Sequence, residues 1–235
     1  VTVEGVYGRT EQHLKEFVSQ YELNFCTTDY ADFLQRVDAV YIATPHKTHY
    51  VLAKQALLQG KHVLCEKPAA LSVAELSELF GLAKEKGLVF LEAIKTAYAP
   101  GFNRMIALAK SGAIGHIVNV DATFTKLYKE KTSREFDANE FGGSVTELAS
   151  YPLLAITKLL GTAVQSTHTV SYYEYGCDVD LFTKMTFQFE KSVATLNVGL
   201  GAKKEGDLVV TGTKGYIYVP APWWLTEYFE VRFED

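Results

Sequence analysis

The 235-residue chain reads as an α/β protein: a doubly wound parallel sheet over residues 1–95, then an α+β domain with a large, mostly antiparallel open sheet over residues 96–235. Three observations predict this. Residues 1–95 alternate short apolar strand patterns with helix patterns at the spacing of βαβ units. Residues 37–43 are nearly all apolar, as expected of a parallel strand buried on both faces. From residue 164 onward only strand patterns remain, rich in Val, Thr, Tyr and Phe and separated by turn residues.

The elements follow in order. Residues 3–7 read as a strand, 11–20 as a helix after Thr10, 24–26 as a short strand, and 30–36 as a helix capped by Asp29. After the strand 37–43, a helix opens at Thr48 with Ala53, Ala56, Leu57 and Gly60 on one face, Gly60 being its stop. Residues 62–65 form the next strand. Ser72 and Glu75 make a capping box for a helix that repeats Leu76, Leu79, Phe80 and Ala83 and ends before Gly87. Residues 88–91 are again a strand. In the second part, helices are expected over 100–111 and 146–160, and strands over 117–124, 172–175, 180–189, 192–200, 207–211 and 215–219. Residues 126–141 read as a loop.

Composition removes several function classes. The chain is 48% hydrophobic and 22% charged, with a formal net charge of −5. It has no basic patch with interleaved aromatics, so nucleic acid is not expected as a partner. No apolar run approaches the ~18 residues of a membrane span. Three widely spaced cysteines, Cys26, Cys65 and Cys177, form neither a disulfide framework nor a metal motif, which points to a reducing cytoplasm. No His/Cys/Asp/Glu set has metal-ligand spacing, so no metal is expected.

In a doubly wound sheet, ligands bind beyond the carboxyl ends of the strands. The residues there are Gly8-Arg9-Thr10, Thr44-Pro45-His46 with His49 just beyond, and Glu66-Lys67-Pro68. These are the candidate cofactor-binding residues, with Lys67 also a candidate for catalysis. Glu66 is placed to orient Lys67, and a tight exit suits a cis bond before Pro68. His13, His62, His116 and His168 read as structural or solvent-exposed. Lys95, Tyr98 and Arg134 are weaker candidates for reaching a substrate.

Three segments carry a resemblance: VDAVYIATPHKTHYVLAKQALLQGKHVLCEKP (37–68), SGAIGHIVNV (111–120) and GGSVTELASYPLLAITKLLG (142–161). In order and spacing the chain resembles the Gfo/Idh/MocA oxidoreductases, the glucose–fructose oxidoreductase and inositol dehydrogenase family, along nearly its whole length. The resemblance implies an N-terminal Rossmann domain binding NAD or NADP, a C-terminal domain with an open sheet, and hydride transfer at a hydroxyl-bearing carbon of a sugar, polyol or related hydroxy or keto compound. It implies that Lys67 matches the family's EKP lysine, and that Glu147 and Tyr151 match an acid and a His/Tyr pair on the helix after the Gly-Gly turn. Glu147 departs from the usual Asp, and Ala149 from the usual Gly. Tyr151 resembles the glucose–fructose oxidoreductase and dihydrodiol dehydrogenase branches rather than the inositol type.

The chemistry agrees with that mapping. Hydride loss from an alcohol needs a base for the hydroxyl proton, and reduction needs an acid for the alkoxide. Tyr151 suits that exchange, with Lys67 beside it lowering its pKa. At i and i+4, Glu147 and Tyr151 share one side of a helix. The tip Gly8-Arg9-Thr10 holds no carboxylate to repel a 2′-phosphate, and Arg9 can pair with one, which favours NADP over NAD. A second reading is a non-catalytic dinucleotide-binding regulator of the same fold. The partners expected are a small-molecule substrate and a second copy of the chain, since the family dimerises through the C-terminal sheet.

No G-x-G-x-x-G follows a first strand, and Gly199-Leu200-Gly201 reads as a hairpin between two antiparallel strands. By family analogy, the first strand with its Gly-rich loop and a C-terminal tail of about 70 residues are expected to be missing from this sequence.

Overall fold

The computed structural model describes residues 1–128 and 132–234. The chain divides between Ala93 and Ile94 into two compact units.

In the first unit, β1 (Gly5–Tyr7), α1 (Glu11–Tyr21), β2 (Phe25–Thr27) and α2 (Tyr30–Gln35) come first. β1 and β2 pair in parallel, Val6 opposite Cys26. There follow β3 (Ala39–Ile42), α3 (His46–Leu58), β4 (His62–Cys65), α4 (Val73–Glu85) and β5 (Phe90–Glu92), whose strands form a parallel sheet in the order β3-β4-β5. The parallel strands therefore fall into two sheets among the described residues, and β1 pairs with β2 only.

Local chemistry sets most boundaries. The Asp29 carboxylate accepts from the Ala31 and Asp32 N–H groups and starts α2. Ser72 Oγ accepts from the Glu75 N–H at the start of α4, and the Glu75 carboxylate reaches back to the Leu71 N–H. α3 ends where Gly60, at φ +76°, lets the Lys61 and Gly60 N–H groups turn back onto the Ala56 and Leu57 carbonyls. α3 begins at His46, two residues before the expected Thr48. Pro45 holds a φ of −60° and its carbonyl already accepts from the Thr48 N–H, so the first turn closes earlier.

The core of this unit joins Val40, Ile42, Val63, Cys65 and Phe90 of the sheet to Ala53, Ala56, Leu57, Leu79 and Ala83 of α3 and α4. Burial of β3 on both faces does not hold. Val40 and Ile42 are buried, while Tyr41, and Leu64 on the neighbouring strand, are exposed. The two helices cover one face, so exposure alternates with the pleat.

The second unit opens with a 3₁₀ turn at Lys95–Tyr98, then α5 (Pro100–Lys110) and β6 (Ile117–Thr125). The expected loop over 126–141 includes residues 129–131, which lie outside the described residues; 3₁₀ turns occupy Arg134–Phe136 and Ala138–Glu140. α6 (Ser144–Leu148) and α7 (Ser150–Leu160) follow, then β7 (Ser166–Tyr172), β8 (Phe182–Gln188), β9 (Val193–Gly199), β10 (Leu208–Gly212), β11 (Gly215–Val219) and β12 (Glu230–Phe233). The strands form one sheet in the order β12-β11-β10-β6-β9-β8-β7. Every pairing is antiparallel except the central β6–β9 pair, which is parallel.

Three expectations are corrected here. The strand placed at 172–175 is Ser166–Tyr172, an edge strand with little burial to pattern it. Gly199-Leu200-Gly201 is not a hairpin, because β10 pairs with β6 and β11 rather than with β9. The helix expected over 146–160 is two helices meeting at Ala149, since Pro152 has no N–H to give to the Leu148 carbonyl.

One face of the sheet carries the core: Val120, Ala122 and Phe124 of β6 and Ala194, Leu196 and Val198 of β9 pack with Phe102 and Met105 of α5 and Ile156 and Leu159 of α7. The register places Asp121 beside Thr195 and Val209 on the opposite face. There the Arg232 guanidinium lies over the Tyr216 and Tyr218 rings, at 5.8 and 5.2 Å from their centroids.

Candidate active site

In the first unit the candidate residues occupy turns at the carboxyl ends of β1, β3 and β4. After β1, the Gly8 N–H points to the Thr27 carbonyl at 3.4 Å, and the Thr10 carbonyl accepts from the Leu14 N–H. A Cβ on Gly8 would stand 3.0 Å from Leu14 Cδ2, so the chain passes close to α1. Arg9 and Thr10 are exposed. After β3, Thr48 Oγ1 lies 2.6 Å from Thr44 Oγ1 and 2.7 Å from the Pro45 carbonyl, folding this turn onto α3.

The turn after β4 is held along its length. The Glu66 N–H donates to the Ile42 carbonyl at 2.8 Å, and the Tyr41 hydroxyl donates to Glu66 Oε1 at 2.5 Å. The Lys67–Pro68 bond is cis. Just beyond it, the Ala69 N–H donates to Glu92 Oε1 at 3.0 Å. Burial pushes the Cys65 thiol up to about 12, with Glu92 and Glu66 adding to the effect.

His49 departs from its expected role as a cofactor contact. It is fully buried, with Nδ1 2.8 Å from the Pro68 carbonyl oxygen and Nε2 2.7 Å from the Thr44 carbonyl oxygen. Both ring nitrogens face backbone. His46 is also buried, its ring edge-on to that of His49 at 5.6 Å.

In the second unit the candidate residues follow the Gly142-Gly143 turn. Gly143 has φ +112°, and a Cβ there would meet Asp180 Oδ1 at 2.4 Å. Asp180 then starts α6 from a distance. Its carbonyl accepts from the Ser144 N–H and hydroxyl, both at 2.9 Å, and its carboxylate accepts from the Val145 N–H at 3.2 Å and the Thr183 hydroxyl at 2.6 Å. Glu147 is buried in α6, and its N–H donates to the Gly143 carbonyl. Tyr151 is half-buried in α7, its ring edge-on to Phe124 at 5.0 Å, and Phe124 stacks on Trp224 at 3.7 Å. Glu147 and Tyr151 therefore stand on successive helices rather than one. Ala149 between them has helical backbone and accepts from the Leu153 N–H.

Lys95 and Tyr98 are exposed on their 3₁₀ turn, and Arg134 Nε lies 3.7 Å from Glu135 Oε1. Sequence reasoning missed Tyr41, Glu92 and Asp180. Glu92 had a signal, as a carboxylate closing a parallel strand; Asp180 had none, because its partners are distant in the chain. Among the described residues no group of three His, Cys, Asp or Glu could hold a metal ion, and no helix is long and apolar enough to cross a membrane.

This arrangement matches two family models. Residues 1–93 match an oxidoreductase family model with an NAD-binding Rossmann fold, and residues 102–218 match the GFO/IDH/MocA C-terminal domain. The chain belongs to the Gfo/Idh/MocA oxidoreductase family. Similar proteins include trans-1,2-dihydrobenzene-1,2-diol dehydrogenase of Bos taurus, 27% identical over 94% of this chain and 67% of the relative. Another is dTDP-3,4-didehydro-2,6-dideoxy-alpha-D-glucose 3-reductase of Streptomyces violaceoruber, 33% identical over 62% of this chain and 42% of the relative. The fold is shared with levoglucosan dehydrogenase in complex with NADH and levoglucosan (TM-score 0.88, 20% identity, 98% of this chain and 66% of that one). It is also shared with a 3-ketoreductase from Actinomadura kijaniata in complex with NADP and TDP-benzene (TM-score 0.86, 24% identity, 98% of this chain and 75% of that one). This Gfo/Idh/MocA chain thus spans about two thirds of the length of the bovine relative.

Proposed function

We propose that the chain is a dehydrogenase or reductase that moves a hydride between NADP and a sugar, polyol or related hydroxy or keto compound. The observation that carries this reading is the Glu66-Lys67-Pro68 turn. It closes a parallel strand of an NAD-binding fold, and Ile42, Tyr41 and Glu92 hold it on either side of Lys67. A lysine held this firmly at a strand's carboxyl end suits a reacting centre better than a solvated surface.

The cofactor supplies or takes the hydride. The chain's own part is to bind, orient and move one proton. Gly8, Arg9, Thr10, Thr44, Pro45, His46, Glu66 and Lys67 are the proposed cofactor-binding residues. Exposed Arg9, in a tip without a carboxylate, fits a 2′-phosphate. A preference for NAD over NADP of about tenfold, or 1.4 kcal/mol, overturns that choice. Tyr151 is the proposed acid–base group, taking the hydroxyl proton in oxidation and returning it in reduction. Lys67 is the cationic hydrogen-bond donor, and Glu147 is the buried acid ahead of Tyr151.

The test is a screen of NADPH oxidation and NADP reduction over polyols, sugars, dihydrodiols and small ketones, repeated with Lys67→Met and Tyr151→Phe. Each substitution is expected to lower kcat/KM by about 10²–10⁴, and the double variant to lose less than the two losses combined. Turnover unaffected by both removes the assignment. Tight NADPH binding with no turnover on any substrate favours the regulator.

The open sheet face, where Val170, Tyr172 and Val193 are exposed, fits a homodimer. A monomer by sedimentation at micromolar concentration removes that reading. Three unpaired cysteines fit a cytoplasmic protein, and recovery of the native protein outside the cell would contradict it.

A further inference from the structure

The placement of His49 leads past the roles assigned so far. His49 sits in the first turn of α3, a helix fixed to the sheet by the fully buried Ala53, Ala56 and Leu57. From that frame its ring spans two turns. Nε2 meets the Thr44 carbonyl in the turn that precedes its own helix, and Nδ1 meets the Pro68 carbonyl in the turn after the next strand. Pro68 has no N–H, so its carbonyl is the one backbone hydrogen-bonding group it offers, and that carbonyl faces His49 of α3. The grips on either side, at the Glu66 and Ala69 N–H groups, come from Ile42 and Glu92.

We propose that His49 is a positioning residue that locks the Glu66-Lys67-Pro68 turn to the Thr44-Pro45 turn, and so sets where the Lys67 ammonium stands, without touching cofactor or substrate. The inference rests on the role given to Lys67 above. Carbonyl oxygens only accept, so in either neutral tautomer one of the two contacts is an N–H hydrogen bond and the other holds the ring against the second turn by packing. Imidazole carries two nitrogens on opposite edges of a rigid plane. The Gln amide keeps a donor but presents it from a single nitrogen on a flexible chain, without the rigid plane that fills the gap between the two turns. Phe fills the space and reaches neither. With no exposed surface, the ring has nothing to offer a ligand.

The experiment compares the intact protein with His49→Gln and His49→Phe by amide hydrogen exchange and by kinetics, each also in the Lys67→Met background. Exchange over residues 66–70 is expected to quicken in His49→Phe, with His49→Gln intermediate, while residues 53–58 of α3 stay protected. The kcat of His49→Phe is expected to fall by up to about a hundredfold with a much smaller change in NADPH dissociation constant. In the Lys67→Met background the same substitution is expected to change kcat little further. The spectrum of the unsubstituted protein serves if a variant fails to fold: a His49 ring N–H should resist exchange with water. Unchanged exchange over 66–70, a rapidly exchanging ring N–H, a weakened NADPH affinity with kcat intact, or kcat losses that multiply across the two backgrounds would each overturn the proposal. The exchange measurements need no turnover, so a failure of the dehydrogenase reading is recognised separately, as an unsubstituted protein with a protected turn and no activity.

Discussion

Two helices of the first unit, α2 and α4, and the short helix α6 of the second start in opposite ways. In the first unit α2 and α4 are capped by the residue just before them, Asp29 and Ser72. In the second, α6 begins at Gly143, which has no side chain to cap with, and the bonds come from Asp180, 36 positions beyond Ser144. α6 is five residues long and carries Glu147. So short a helix has no stability of its own in water. The acid ahead of Tyr151 is therefore positioned by tertiary structure, whereas the turns flanking α3 carry their start and stop signals with them. A local cap survives damage elsewhere in the fold; a distant one depends on β8 and its neighbours being in place.

The strongest way to break this contrast is Gly143→Ala. At φ +112° an alanine is strained, and its Cβ would sit 2.4 Å from Asp180 Oδ1, so the capping carboxylate must move. Backbone strain and the lost bonds together are expected to cost about 3 kcal/mol. Both tryptophans of the chain, Trp223 and Trp224, lie in the second unit, so urea unfolding followed by tryptophan fluorescence reports that unit. An unchanged midpoint would show that the Gly143–Asp180 approach is unimportant.

Asp180→Ala removes the carboxylate but keeps the backbone carbonyl that Ser144 uses. The Val145 N–H and the fully buried Thr183 hydroxyl lose an acceptor, although Thr183 retains Ser171. About 2 kcal/mol is expected by the same fluorescence measurement, with Asp180→Asn costing less because one oxygen remains. Equal losses in the two variants would point to the charge rather than the acceptor geometry.

What the sequence made legible follows the same division. The strand–helix alternation, the caps at Asp29 and Ser72, and the strand-end position of Lys67 depend on residues close together in the chain. The helix break at Pro152 was also visible, in a proline whose missing N–H went uncounted. The order of the second sheet was not. β6 and β9 pair through residues such as Asp121 and Thr195, 74 positions apart, and no turn signal announces a pairing at that range. Reading Gly199-Leu200-Gly201 as a hairpin assumed that neighbours in sequence are neighbours in the sheet, and β6 lies between β9 and β10. For His49 the residue type was legible and its role was not. A histidine near a strand end suggests a ligand contact until its two nitrogens are seen against the Thr44 and Pro68 carbonyls.

The smallest expected effect sharpens the contrast from the other side. Asp29→Ala withdraws the oxygen that accepts from the Ala31 and Asp32 N–H groups, leaving them to water at an exposed helix start. The cost expected is about 1 kcal/mol, while Asp29→Asn, which keeps an acceptor oxygen, is expected to cost a few tenths. The loss belongs to the first unit, which contains no tryptophan. It should appear as faster amide exchange across Tyr30–Gln35, with the fluorescence midpoint of the second unit unmoved. If Asp29→Ala shifted that midpoint as far as Asp180→Ala does, the two units would be unfolding as one. The local cap would then be stabilising the whole chain, and the distinction between near and distant capping would carry no energetic meaning.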